Sequence, residues 1–244
     1  MALIDLANPT RFRTLAETLL PWLAAATVVA FGFGLERAYL APDDYQQGAT
    51  VKIMFLHVPS AWLSMMAWGL MSVAALGTLV WRHPLADVAA KAAAPLGAAF
   101  TLLCLVTGSL WGRPMWGTYW VWDARLTSEL VLLLMYLGVL AVWRTIDDPI
   151  RAARAAAVLT LVGAIDLPII KFSVDWWNTL HQPASVFRIG GSTIDASLLV
   201  PLFVMAIAFT LLFFTLHLAA MCNEILRRRV RTLMMLQAQA AGGH

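Results

Sequence analysis

ASLLVPLFVMAIAFTLLFFTLHLAA, residues 196–220, runs for twenty-five positions without an Asp, Glu, Lys or Arg. Coiled as a helix it rises about 37 Å, enough to cross the roughly 30 Å hydrocarbon layer of a bilayer. Five further apolar stretches of similar length lie upstream, at about 19–40, 58–81, 91–110, 127–146 and 154–172. Glycines and prolines inside them do not count against membrane helices. The chain as a whole is 61% hydrophobic and 13% charged over 244 residues, with mean hydropathy +0.75. A soluble domain of that length needs more charge on its surface. The expected fold is all-α: a polytopic bundle of six transmembrane helices forming a single integral-membrane domain over residues 1–244. The first eighteen residues carry Arg11 and Arg13 but no compact apolar core with a small-residue cleavage site. They read as an uncleaved tail leading into the first span.

Lys and Arg placement orients the bundle, because cytoplasmic flanks hold the excess. Arg11, Arg13, Arg82, Lys91, Arg144, Arg151, Arg154, Arg227, Arg228, Arg229 and Arg231 fall on one side, against Arg37, Lys52, Arg113, Arg125, Lys171 and Arg188 on the other. Eleven against six puts the N and C termini in the cytoplasm. The net charge of +3 follows from that bias. The run Arg227–Arg231 is the expected flank of a last span, so nothing points to nucleic acid. Cys104 and Cys222 fall at different depths, and no disulfide is expected between them. There is no C-x-x-C-H motif for covalent haem attachment.

The same topology sorts the histidines. His83, His217 and His244 belong to the cytoplasmic half; His57 and His181 lie outside. In KIMFLHVPSAW (52–62), Pro59 suits the first helical turn, which places His57 just outside the N-terminus of the second span. The positive end of the helix dipole favours a neutral imidazole there, with a nitrogen free for a metal. In KFSVDWWNTLHQP (171–183), Asp175 reads as the cap of a short helix that Pro183 ends, with Trp177 and His181 on one face.

Between these two histidines, on the same side, comes WGRPMWGTYWVWDARLTSEL (111–130), with an external loop expected over 111–126. Trp111, Trp116, Trp120 and Trp122 crowd into a dozen positions beside Asp123 and Arg125. An ordinary interfacial aromatic belt spreads its tryptophans over many helix ends. On a short helix, Trp116 and Trp120 share a face and form a stacking shelf for a large flat apolar ligand. Arg125 then pairs with an acid group of the ligand, or with Asp123. Haem fits each requirement: a flat macrocycle, two propionates, and an iron that takes axial histidines. Arg125, Arg113, Lys52 and Arg188 are the external bases available to the propionates.

The run 111–130 also resembles the WWD signature, WGxxWxWDxRLT, of the membrane haem-handling family used in cytochrome c maturation. HVPSAW and SVDWWNTLHQ resemble the short six-span branch of that family, CcmC. The likeness covers nearly the whole chain; Tyr119 departs from it, standing where Trp is expected. The resemblance implies a protein of the bacterial inner membrane that binds haem b on its periplasmic face. It implies transfer to the haem chaperone CcmE, in a complex with the ABC-type proteins CcmA and CcmB and the small protein CcmD. By motif, the axial positions are His57 and His181, and the shelf is Trp111, Trp116, Trp120, Trp122, Asp123 and Arg125. Such a chain presents and transfers haem and is not an enzyme. It has no Walker A sequence, so any ATP hydrolysis falls to a partner.

Two other classes compete. A solute permease would use Asp166, an acid inside the fifth span in VGAIDLPII (162–170), unless Lys171 simply neutralises it. A respiratory b-type cytochrome would need histidines within spans, where His217 comes nearest.

Overall fold

The computed structural model describes residues 7–183 and 185–242; His244 lies outside them. Regular structure among the described residues is helical: α1 (Pro9–Leu40), a 3-10 turn (Ala49–Ile53), α2 (Met54–Leu79), α3 (Ala86–Trp116), α4 (Ala124–Thr145), α5 (Pro149–Gly163), α6 (Asp166–Trp176) and α7 (Ala196–Gly242). Six segments are long and apolar enough to cross a membrane, with α5 and α6 together making the fifth.

The spans lie where the apolar runs put them, but their ends move. The 3-10 turn at 49–53 leads directly into α2, so the helix starts at Met54 and takes in His57. Helix α3 continues to Trp116 and stops at Gly117, whose φ of 76° is the left-handed conformation that ends a helix without Cβ strain. The expected loop over 111–126 therefore shrinks to 117–123. No separate helix follows Asp175. Helix α6 runs through it to Trp176, where Phe172 and Trp176 stack at 5.5 Å, and residues after Trp177 are irregular. Helix α7 extends well past residue 220 as one continuous element.

Packing in a bilayer relies on close approach and internal hydrogen bonds, since lipid tails are as apolar as the core. Trp68 is fully buried, donates from its indole to the Thr160 carbonyl at 3.0 Å and meets Tyr136 edge-on at 4.7 Å. The Tyr136 hydroxyl donates to the Ser64 carbonyl at 2.7 Å. Glycines admit both rings: a Cβ at Gly163 would collide with Trp68, and one at Gly97 with Tyr136. Between α1 and α7, Thr27 and Thr215 share a hydrogen bond of 3.0 Å, and Gly34 faces Met205.

The two ends of the bundle differ. At one end Glu224 binds Lys91 at 2.8 Å and Arg228 at 3.0 Å, while Asp87 takes Arg228 at 2.8 Å. His83 sits at that end in the α2–α3 turn, accepting the Leu85 N–H at 3.3 Å. His217, buried in α7, stacks on Phe213 at 5.5 Å with the rings 9° from parallel. The opposite end gathers the 3-10 turn, the 117–123 loop and the irregular stretch after α6.

Candidate functional site

His57 occupies the first turns of α2, not a loop before it. Its Nδ1 lies 3.0 Å from the Cys104 carbonyl and 3.2 Å from the Thr107 hydroxyl on α3. A carbonyl only accepts, so Nδ1 carries the proton and donates it. The Thr107 hydroxyl spends its own proton on the Leu103 carbonyl at 2.6 Å. Nε2 is left with a free lone pair, the arrangement seen when a backbone carbonyl orients a metal-binding imidazole. Gly108 makes room for this ring: a Cβ there would stand 2.9 Å from Cε1. Trp111 meets the imidazole edge-on at 5.7 Å and ties the 3-10 region in through an indole bond of 2.9 Å to Gln47.

His181 belongs to the irregular stretch, so the expected helical pairing with Trp177 is not made. Its Nδ1 stands 2.9 Å from the carbonyl of its own neighbour Gln182, which again leaves Nε2 open. Trp116 lies 6.2 Å away. Burial first, then the positive charge of Arg125, hold the His181 pKa below its ordinary value, so the ring is neutral at neutral pH. Two histidines distant in sequence thus stand beside two tryptophans, Trp111 and Trp116, in the last turns of α3.

The four tryptophans do not form one shelf. Trp116 and Trp120 share no helical face, because the chain turns at Gly117 between them. Trp120 instead meets Trp122 edge-on at 5.4 Å. That outer pair borders an apolar groove of roughly 500 Å³ between α3 and α4, with Leu102, Val106, Leu110 and Leu130. Trp122 is 75% exposed, and the Trp120 indole nitrogen is buried without a partner.

Asp123 caps α4, accepting the Leu126 N–H at 2.8 Å; its other oxygen is buried and unpartnered. It is not joined to Arg125, whose guanidinium donates to the Ile170 carbonyl on α6. Two of the remaining candidate bases are occupied. Lys52 pairs with Asp43 at 3.3 Å and donates to the Tyr39 carbonyl at 3.2 Å. Arg113 donates to the Gly117 carbonyl and lies over the Tyr119 ring at 5.6 Å. Arg188 is exposed in the 185–193 turn. Of the four, Arg125 is the one whose charge bears on His181.

Asp166 begins α6 at the break after α5, where an acid suits the helix dipole. Its Oδ2 is buried without a hydrogen bond, and among the described ion pairs none joins it to Lys171, which is exposed. Glu129 is the acid that motif reading overlooks. It is 5% exposed, one turn beyond Arg125 on α4, and accepts the Ser64 hydroxyl at 2.7 Å. An ionisable group inside a span is the signal that would have found it.

The heme exporter protein C family model matches residues 2–236 of the chain. The chain belongs to that family. Among its relatives, heme exporter protein C of Bradyrhizobium diazoefficiens is 79% identical over 238 residues, covering 98% of this chain and 90% of the relative. The Escherichia coli K12 protein of the same name is 49% identical over 228 residues, 91% of this chain and 90% of its own. The Paracoccus denitrificans protein is 43% identical over 241 residues, 98% and 100%. Membership in the family therefore extends over nearly the full length, including every segment that builds the site.

Proposed function

We propose that this chain binds haem b between His57 and His181 at the periplasmic face of the inner membrane and hands it to the haem chaperone CcmE, working with CcmA, CcmB and CcmD. The observation that carries the reading is two histidines at one end of the bundle, each bonded to a carbonyl through Nδ1 with Nε2 free, beside Trp111 and Trp116 of α3. The donor set fits the cargo. Two imidazoles suit the iron, Arg125 suits a propionate, and Trp111 and Trp116 flank the histidines as apolar walls. The exposed Trp120–Trp122 pair extends this apolar surface to the edge of the bundle, where a partner reaches a macrocycle edge. Names of relatives that describe heme export support the same cargo.

The chain's own part is to bind, orient and release. Helix α2 and the α3 carbonyl hold His57 rigidly, while His181 rests on a loop and can leave without disturbing the bundle. Both histidines presented from loops would give no such difference. Absorbance of the purified protein tests the reading: a Soret band of a six-coordinate low-spin haem is expected, and a permease would show none.

Orientation follows from the charge bias, with the described ends at the cytoplasmic face. A reporter fused after Arg231, or within residues 147–151, is expected to read cytoplasmic, and one within 185–192 periplasmic. A periplasmic signal at residue 148 would reverse the bundle and put the histidines on the wrong side for this role.

A further inference from the structure

Glu129 lies where three helices meet below the histidine site. It sits on α4 one turn beyond Arg125, on the same face. From α2, Ser64 donates its hydroxyl to Glu129 Oε1 at 2.7 Å, and Ser64 is two turns beyond His57 on that helix. From α3, Cys104 approaches α2 at the level of His57. The backbone carbonyl of that cysteine is the acceptor for His57 Nδ1. One carboxyl thus ties the helix that carries His57 to the helix that carries Arg125. A second bond, from the Tyr136 hydroxyl to the Ser64 carbonyl, closes α4 against α2 at the same level. A carboxyl inside a bilayer is costly, and it persists where it has a role.

We propose that Glu129 is a positioning residue for haem binding: by holding Ser64, it fixes α2, which carries His57, against α4, which carries Arg125. The inference rests on the proposed haem role. A metal-binding imidazole depends on the acceptor at its far nitrogen, and loss of such a partner weakens metal binding by about 10- to 100-fold. Glu129 acts one step further out, so a change of about tenfold or less is expected.

The test uses the full chain purified in detergent, with wild type, Glu129→Ala, Glu129→Gln and Ser64→Ala measured side by side. In Glu129→Ala, part of the ferric haem is expected to shift from low-spin six-coordinate to high-spin, and haem loss to an apo-myoglobin trap to speed up severalfold. Glutamine keeps an oxygen for the Ser64 hydroxyl, so Glu129→Gln is expected to restore the low-spin spectrum. Ser64→Ala is expected to move the spectrum in the same direction as Glu129→Ala, by less. A merely structural residue would lower yield and melting temperature while leaving the spectrum of the folded fraction alone, and that result overturns the proposal. So does a Glu129→Gln protein that behaves like Glu129→Ala. If Glu129→Ala does not accumulate, an unchanged spectrum in Ser64→Ala overturns it. Wild-type protein without a Soret band would sink the haem reading itself. Haem-loaded wild type with unaffected variants sinks only the role of Glu129.

Discussion

His57→Gly protein is expected to lose the low-spin haem spectrum, and millimolar imidazole is expected to bring it back. The ring is anchored from outside by the Cys104 carbonyl and has space made for it by Gly108. Removing it leaves an imidazole-sized vacancy with its hydrogen-bond acceptor still in place, into which free imidazole fits. His181→Gly should also convert the spectrum, but its vacancy lies on an irregular stretch with no acceptor beyond its own neighbour. Rescue there is expected to need more imidazole. Loss of either iron bond should weaken haem retention by at least roughly tenfold, the lower end of what even an outer partner's loss costs. His217→Gly, at the other end of the bundle, should change neither spectrum nor retention. A double His57/His181 variant that kept a six-coordinate spectrum would remove both residues from the iron.

The second large effect concerns stability. Gly97→Ala is expected to destabilise the bundle by about 1–3 kcal/mol, the usual range for overpacking a filled interior. The added methyl would overlap the Tyr136 ring, and that ring cannot swing away without giving up its 2.7 Å bond to Ser64. Tyr136 is also pinned by Trp68, so the strain spreads to the α5 end. Thermal unfolding in detergent measures this, and Gly97→Ala in a Tyr136→Val background should cost clearly less than in wild type. Equal costs in the two backgrounds would show that the α3–α4 contact relaxes freely.

The six spans were legible because hydropathy over twenty residues is a property of composition, which no tertiary contact can overrule. Helix ends were less so. Pro59 signals a helix start, yet the preceding 3-10 turn already sets α2 going at Met54. Trp116 and Trp120 are spaced as helical neighbours, and a single left-handed glycine between them separates their rings. The two histidines could be placed on one side by counting charges, but their partners could not. That His57 meets Trp111 and His181 meets Trp116 depends on how α2, α3 and the stretch after α6 pack. Glu129 carries the same signal as Asp166, an acid within a span, yet in the run LTSEL it reads as the tail of the polar motif. Its bond to Ser64 comes from another helix, so only the fold shows what it holds.

The unequal anchoring of the two histidines has a kinetic consequence. When two bonds hold one cargo, retention depends on both, but release begins at the bond that breaks first. A ring fastened to a helix and to a neighbouring helix's carbonyl reorients only with the bundle. A ring on an irregular stretch reorients with its loop, on the faster timescale of surface segments. Changes in the loop around His181 should therefore alter how long cargo stays far more than how much is bound at saturation. On the proposed two-histidine site, release has a fixed order, and the face of the macrocycle first laid bare is the one that His181 would cover.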